Sequence, residues 1–278
     1  MCNMQYTIRC DSLSGRRSDS ECSSESNMLD FAIDLGRRAG ALLRDGLDRQ
    51  RTIDLKGAFD LVTDMDRASE DLIVSTIAAE FPDHAILAEE SGAIGEADHT
   101  WLIDPLDGTN NYAHGFPYFC VSLSLWRGRT PLLGVICNPM LDELFSARAG
   151  GGAYCNGRLI RVSDTATLGA ALISTGFPYN YVTTPENNLS EFDRIQARCQ
   201  GVRRSGAAAL DLAYVAMGRL DAHWELGLKP WDTGAAALLV LEAGGQLSDW
   251  HGGPWHPWAD RLIASNSRIH DELIQVLS

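Results

Sequence analysis

The chain has 278 residues, and its 23 lysine and arginine residues stand against 37 aspartate and glutamate residues, giving a formal net charge of −14. Nucleic acid is therefore an unfavourable partner, because binding a polyanion requires basic side chains that displace its counterions. Hydrophobic residues make up 45% of the chain, which excludes a wholly disordered or collagen-like protein. No apolar run approaches the roughly 20 residues needed to cross a bilayer, so no membrane partner is expected.

Cysteine usage and the first residues indicate where the protein works and where its folded part begins. The seven cysteines are an odd number without a CxxC pair, which argues against a disulfide framework or structural zinc and favours the cytoplasm. Residues 1–27 hold seven serines and few large aliphatic side chains, which favours a mobile extension. We expect one domain over residues 28–278, with residues 28–150 as its N-terminal half and residues 151–278 as its C-terminal half.

The first folded elements are two helices with an extended segment between them. Apolar residues recur at helical spacing from Met28, which predicts the first helix. Residues 56–62 look extended. Thr63 then offers an N-cap, and Asp66 three residues later completes a capping box for a second helix that Pro82 bounds.

Short apolar runs and turn residues predict the remaining elements. Residues 85–88 and 101–103 read as buried strands that each end directly in acids. Three β-rich stretches follow as an antiparallel meander, at residues 119–126, 131–137 and 143–147. The later part predicts strands at 171–174 and 222–224 and helices at 185–199, 207–217 and 232–243. Because strands and helices interleave without strict βαβ alternation, a layered α+β fold is favoured.

The most informative stretch is DPLDGTN at residues 104–110. A turn there can aim Asp104, the Leu106 carbonyl and Asp107 at one point, and hard cations such as Mg²⁺ take oxygen ligands of this kind. If a short helix begins at this point, the amides of Gly108 and Thr109 can donate to a phosphate oxygen. The alternative is a polar turn whose aspartates and glycine serve only local hydrogen bonds.

Two further acidic sites strengthen the cation hypothesis. Glu89 and Glu90 end an apolar run 15 residues before Asp104, and acids at neighbouring strand ends make a cation site plausible. Asp232 stands at the start of an apolar helix. Taken alone, Asp232 is equally explained as an ordinary helix-capping aspartate.

Together these motifs resemble the inositol monophosphatase family. The resemblance rests on KxxxDxVTxxD at residues 56–66, AEES at 88–91, DPLDGTNN at 104–111 followed by HGFP at 114–117, ExxxxPWD at 225–232 and EAGG at 242–245. The motifs run in family order from about Met28 to the C-terminus. The resemblance implies an α-β-α-β-α sandwich, as in the inositol monophosphatase and fructose-1,6-bisphosphatase superfamily. It also implies a Mg²⁺-dependent phosphate monoester hydrolase in which a metal-activated water attacks the phosphate.

The resemblance assigns roles residue by residue. It implies that Glu89, Asp104 and the Leu106 carbonyl hold one Mg²⁺, that Asp104, Asp107 and Asp232 hold a second, and that Glu89 touches a third, weaker ion. Thr109, paired with Asp66, would orient the attacking water. Glu225 and Asp107 would accept hydrogen bonds from substrate hydroxyls, with the Gly206 to Ala208 backbone lining the pocket and Lys56 and Glu90 supporting the acids. Glu225 could instead be a solvated acid, and Lys56 a surface lysine.

Substrate and partners follow from the same resemblance. Inositol 1-phosphate is favoured, with histidinol phosphate second. A different class of function is a regulatory protein associated with RNA polymerase or the ribosome, because some bacterial relatives associate with the transcription machinery. Lithium sensitivity and a homodimer are also expected from the family.

Overall fold

A computed structural model describes residues 19–47, 53–55 and 61–278, in which helices alternate with groups of strands. The helices are α1 (Asp19–Gly46), α2 (Asp64–Glu80), α3 (Thr109–Ala113), α4 (Leu189–Gln196), α5 (Ala208–Ala216), α6 (Pro230–Glu242) and α7 (His270–Leu277). The first ten strands are β1 (Ile53–Leu55), β2 (Leu61–Thr63), β3 (Ala85–Ala88), β4 (Gly92–Ile94), β5 (His99–Asp107), β6 (Cys120–Arg127), β7 (Thr130–Asn138), β8 (Glu143–Arg148), β9 (Gly152–Cys155) and β10 (Arg158–Leu159). The last five are β11 (Leu172–Thr175), β12 (Gly201–Arg203), β13 (Ala222–Leu226), β14 (Gln246–Ser248) and β15 (Arg261–Ser265).

The larger sheet has eight strands in the order β10-β9-β8-β7-β6-β5-β3-β4. Its strands are antiparallel except for β3 and β5, which run side by side in the same direction. Helices α1 and α2 cover one face through buried apolar side chains that include Leu35, Leu43 and Ile73. Because β3 and β5 are parallel, the acids that follow both strands reach the same edge of the sheet.

Helices α5 and α6 fill the layer between this sheet and a second one. Every residue of α6 from Thr233 to Val240 is buried, as expected of a helix that is apolar on all sides. The core around the two helices includes Phe145 of the larger sheet and Leu262 of the smaller sheet. The start of α6 is therefore held by packing from both directions.

The smaller sheet has five strands in the order β12-β11-β13-β15-β14. Its outer face is covered by α4 and α7, whose buried side chains include Ile195 and Leu273. The layers thus run helix, sheet, helix, sheet, helix. This confirms the predicted α+β class and the α-β-α-β-α sandwich.

Several predicted elements appear where the sequence pattern placed them. The meander is confirmed as β6, β7 and β8, which pair antiparallel in that order. The predicted capping box at α2 is also confirmed, because Thr63 Oγ1 accepts from the Asp66 amide while Asp66 Oδ2 accepts from the Thr63 amide. Four further elements have bounds within two residues of the predicted ones. They are the strands β11 and β13 and the helices α5 and α6.

Two helix boundaries differ from the prediction. Helix α1 begins at Asp19, well before the predicted start at Met28, because residues 19–27 contain neither glycine nor proline to end it. The predicted helix over residues 185–199 is shorter, since α4 begins only at Leu189. Asn188 has a φ of 67°, and its side-chain amide is engaged by Thr175, Gly176 and Trp224. Of the predicted N-terminal extension, residues 1–18 lie outside the described residues.

Membrane spans and cysteines can be described for the part of the chain that the structure covers. No helix there combines the length and apolarity that a membrane span requires. The cysteines with described side chains, 120, 137, 155 and 199, are all free thiols.

Close contact between α6 and the larger sheet gives a stability prediction. A Cβ added at Gly134 of β7 would lie 2.7 Å from the Ala235 carbonyl oxygen and 2.9 Å from its Cα. Gly134→Ala must push α6 from the sheet, so it should lower the free energy of unfolding by about 1–3 kcal/mol. Urea unfolding followed by circular dichroism measures this.

Gly169→Ala is the matched control, because a Cβ there meets nothing closer than the Arg198 carbonyl oxygen at 3.9 Å. Equal unfolding midpoints for the two variants would contradict the close packing of α6 on β7.

Candidate active site

The segment that carries Asp104 and Asp107 is a bulged strand end. The sequence suggested a turn over residues 104–110, but β5 continues to Asp107, and its pairing with β6 shifts register between Asp104 and Asp107. A bulge adds local twist and redirects side chains, which allows both acids to face the same region. Gly108 follows with a φ of 95°, and the predicted short helix is present as α3.

Asp104 is the most buried acid among the proposed metal ligands. It is 2% exposed, and its Oδ1 accepts a hydrogen bond of 3.0 Å from the Leu106 amide. Burial, followed by the charges of Glu89, Asp107 and Asp232, raises the pKa of Asp104 well above its ordinary value. These four acids therefore lie within electrostatic reach of one another.

Glu89 reaches Asp104 because β3 and β5 are neighbours. Ala88 pairs with Ile103, and the Glu89 amide donates to the Ile103 carbonyl oxygen over 3.2 Å. Glu89 and Glu90 are both half-buried. Asp104, which directly follows Ile103 in β5, then lies at the same edge of the sheet.

Asp107 is fixed by the beginning of α5. Its Oδ1 accepts from the Ala208 amide at 3.2 Å, and its Oδ2 accepts from the Ala209 amide at 2.8 Å. Burial raises the pKa of Asp107 to about 7, although the Ala209 amide acts in the opposite direction. The amides at this helix start thus compensate part of the cost of burying the carboxylate.

Asp232 combines the two roles that the sequence left open. It occupies the third position of α6, where its Oδ2 accepts a 2.7 Å hydrogen bond from the Lys229 amide. Burial raises the pKa of Asp232 to about 8, opposed by the Lys229 amide and reinforced by the charges of Asp107 and Glu225. The carboxylate therefore caps the helix and also belongs to the acidic cluster.

Thr109 and Asp66 form a buried hydroxyl–carboxylate pair beside this cluster. Thr109 Oγ1 lies 2.8 Å from Asp66 Oδ1 and 3.0 Å from the Leu106 carbonyl oxygen. The other Asp66 oxygen accepts from the Thr63 amide and hydroxyl, at 2.8 and 2.5 Å. The capping box of α2 thus holds Asp66 in place for Thr109, as the predicted pairing requires.

The other predicted substrate residues lie next to the acids. The Asn111 amide donates to the Tyr118 and Ser205 carbonyl oxygens, at 2.7 and 2.8 Å, and this ties the Gly206 loop to α3. Glu225 is the penultimate residue of β13, and its side chain is 12% exposed. Burial raises the pKa of Glu225 to about 8, while the Arg204 charge lowers it. Glu225 is therefore largely buried rather than fully solvated.

Glu70 is a supporting residue that the sequence analysis missed. Its two carboxylate oxygens accept from the amides of Glu90 and Ser91, at 2.9 and 2.7 Å. Glu70 follows Asp66 by four residues on α2, so both project from one face of the helix, and that spacing was the available signal. Lys56, which was predicted to support the acids, lies outside the described residues.

The donor set fits a hard divalent cation. The acids and the Leu106 carbonyl offer only oxygen, and burial together with neighbouring negative charges raises the pKa values of Asp104 and Asp232. Among the described residues, no three His, Cys, Asp or Glu side chains are close enough as they stand to hold a metal ion by themselves. Mg²⁺ needs only one or two carboxylates and takes its other oxygens from water and phosphate.

Comparisons with known proteins agree with this fold. The profile of the inositol monophosphatase family matches residues 24–278. The inositol-1-monophosphatase of Synechocystis sp. is 46% identical over 253 residues, covering 90% of this chain and 88% of the relative. The Nus factor SuhB of Pseudomonas aeruginosa is 43% identical over 259 residues, covering 90% of this chain and 95% of the relative.

A solved structure gives the same result. The inositol monophosphatase from Anabaena (Nostoc) sp. superimposes with a TM-score of 0.84 at 46% identity, covering 91% of this chain and 95% of that chain. The protein is thus a phosphatase, of a class that is generally metal-dependent. It belongs to the inositol monophosphatase family.

The acidic cluster predicts a pH dependence of stability without metal. Burial raises the pKa of Asp107 from 3.8 to about 7 and that of Asp232 to about 8, so the folded state holds these protons more tightly than the unfolded state. In EDTA the free energy of unfolding should therefore fall as pH rises from 6.5 to about 8. Urea unfolding at several pH values measures it.

The pH range begins at 6.5 because burial lowers the pKa values of His223 and His270 from 6.5 to about 4. These histidines make the free energy of unfolding rise with pH, and that rise is complete above pH 6.5. Saturating Mg²⁺ should reduce the fall, since a cation favours the ionised acids. Stability that rises with pH across this window in EDTA would contradict the buried cluster.

Proposed function

We propose that the protein hydrolyses phosphate monoesters with Mg²⁺, and that inositol 1-phosphate is its substrate. The observation that carries the proposal is the gathering of Asp104, Asp107 and Asp232 from two separate elements into one largely buried cluster. Buried acids that repel one another are costly unless cations compensate them. The names of the relatives from Synechocystis sp. and Anabaena support the substrate.

The ion sites follow from the grouping of these oxygens. Glu89, Asp104 and the Leu106 carbonyl would hold one Mg²⁺, and Asp104, Asp107 and Asp232 would hold the second, with Glu89 touching a third, weaker ion. When bound, these cations would supply positive charge that lowers the pKa of water and offsets the negative charge of the phosphate. Glu90 supports the first site through the Glu70 contact, which fixes the backbone next to Glu89.

Thr109 and Asp66 supply the proton acceptor for the attacking water. A water that donates to Thr109 Oγ1 can pass its proton on through the hydroxyl, because Asp66 Oδ1 lies 2.8 Å away. Asp66 is fully buried and held by Thr63, so the oxygen that accepts from Thr109 is oriented before the substrate arrives. This pre-orientation lowers the entropic part of the barrier.

The leaving group would bind on the opposite side. Glu225 and Asp107 can accept hydrogen bonds from polyol hydroxyls, and the backbone from Gly206 to Ala208 borders the same space. The amides of Gly108 and Thr109 would donate to phosphate oxygens. Two carboxylate acceptors suit a leaving group that carries several hydroxyls.

The proposal extends to properties expected of this family. We infer two or three Mg²⁺ per site, inhibition by lithium, a homodimer and a cytoplasmic location. Family membership supports these inferences.

A second candidate function is regulatory. The relative from Pseudomonas aeruginosa carries the name Nus factor SuhB, which favours a protein that associates with RNA polymerase or the ribosome. The described acids of both ion sites are all present in this chain, which favours the enzyme. A pull-down that finds such a partner, combined with negligible Mg²⁺-dependent turnover of any monoester, would favour the regulatory role.

Neutral replacements of the shared acids test the metal assignment. Asp104→Asn and Asp232→Asn should each abolish turnover, a loss of roughly a thousandfold or more, because each removes a charge on which cation binding depends. Phosphate release at saturating Mg²⁺ measures it, and circular dichroism checks the fold. Asp98→Asn, at an exposed position, is the control. Activity of either variant near that of Asp98→Asn would exclude the proposed ligands.

A substrate panel tests the leaving group. Inositol 1-phosphate, histidinol phosphate, fructose 1,6-bisphosphate and a 3′-phosphonucleotide are compared with and without Mg²⁺. We expect the highest kcat/KM for inositol 1-phosphate, because Glu225 and Asp107 accept hydrogen bonds from hydroxyls. A clear preference for histidinol phosphate would replace the substrate while leaving the phosphatase class intact.

A further inference from the structure

A buried chain of polar side chains leads from the interior of the smaller sheet to Glu225. Ser174 Oγ lies 2.9 Å from His223 Nδ1, and His223 Nε2 lies 3.1 Å from Glu225 Oε2. Ser174 and His223 are both fully buried, on the neighbouring strands β11 and β13. Neither residue belongs to the motifs that identified the site.

The protonation states of His223 and Glu225 determine which atoms donate and which accept in this series of hydrogen bonds. Burial lowers the pKa of His223 to about 4, so its imidazole is neutral near pH 7 and carries a single proton. Above its pKa of about 8 Glu225 is ionised and can only accept, which places that proton on Nε2. Nδ1 then accepts from the Ser174 hydroxyl. Asp211 Oδ2 lies 3.9 Å from Nδ1, which is too far for a hydrogen bond.

Packing against Gly176 restricts the Glu225 carboxylate. A Cβ at Gly176 would overlap both carboxylate oxygens, so the carboxylate lies directly against the Gly176 backbone. Together with the contact between Oε2 and His223, this packing orients the carboxylate before a substrate binds.

We propose that His223 is a positioning residue for the leaving group: it donates from Nε2 to Glu225 and so sets the preference for hydroxylated leaving groups. The inference rests on the proposed function, in which Glu225 accepts from a substrate hydroxyl. His223 acts through Glu225 and does not touch the phosphate. Its loss should therefore weaken the binding of polyol phosphates more than it slows the chemical step.

The first test compares two replacements on two substrates. His223→Phe removes the donor, whereas His223→Gln keeps an N–H that can reach Glu225. With inositol 1-phosphate, His223→Phe should raise KM about tenfold with little change in kcat, because a hydrogen bond to a charged acceptor loses its fixed geometry. With phenyl phosphate, whose leaving group carries no further hydroxyl, KM should stay near wild type. His223→Gln should restore most of the affinity for inositol 1-phosphate.

His270→Phe is the matched control. His270 is also fully buried and lies between two serines, with Nδ1 2.8 Å from Ser265 Oγ and Nε2 2.8 Å from Ser248 Oγ. Its replacement should lower stability as His223→Phe does, but should leave the ratio of the two KM values unchanged. An equal rise of both KM values in His223→Phe, or the same ratio change in His270→Phe, would overturn the proposal.

A second measurement needs no variant. Nitrogen NMR spectra of labelled wild-type protein at pH 9, above the pKa of about 8 of Glu225, should show His223 with a protonated Nε2 and a bare Nδ1. A proton on Nδ1 would sink the inference even if His223→Phe failed to fold. If wild type hydrolyses no hydroxylated monoester with Mg²⁺, the proposed function fails, whereas an intact preference for inositol 1-phosphate in His223→Phe overturns only the role of His223.

Discussion

The repulsion among the clustered carboxylates is the constraint on which the rest of the structure depends. Burial raises the pKa values of Asp104, Asp107 and Asp232, and neighbouring negative charges raise them further: those of Glu89, Asp107 and Asp232 at Asp104, and those of Asp107 and Glu225 at Asp232. The fold offsets part of this cost with backbone amides: Leu106 donates to Asp104, Ala208 and Ala209 donate to Asp107, and Lys229 donates to Asp232. Amide hydrogen bonds stabilise the carboxylates but do not cancel their negative charge. Bound cations are still needed to neutralise the cluster. The acidic cluster therefore lowers the stability of the folded protein, and packing elsewhere must compensate for this cost in free energy.

That packing is supplied by the layered architecture. The bulge of β5 turns two acids toward one region, and the starts of α5 and α6 approach it from the middle layer. Those helices are positioned by close contacts such as Gly134 against Ala235, where any side chain would interfere. The acids are therefore held by rigid elements rather than by a loop, and the bound ions and the phosphate would meet a preformed set of oxygens.

The sequence predicted those features whose cause is local. The capping box of Thr63 and Asp66, the strands of the meander and the acids that end β3 and β5 depend on residues close together in the chain. The family resemblance added the grouping of Asp232 with the earlier acids, which no spacing could show. The early start of α1 was missed because polar residues 19–27 lack an apolar stripe. His223 and Glu70 were missed because their roles depend on contacts with distant segments, and a histidine in a strand carries no local sign of its partner.

The contact between Asp107 and the start of α5 has a kinetic consequence. The hydrogen bond from the Ala209 amide joins residues 102 positions apart, and the bond from Ser122 Oγ to the Trp231 carbonyl oxygen joins residues 109 apart. Closing such long loops costs entropy, and contacts between distant residues slow folding. The acids of β5 and α6 become a single site only when the middle helices pack against the larger sheet. A nascent chain therefore lacks the site until the C-terminal half has been synthesised.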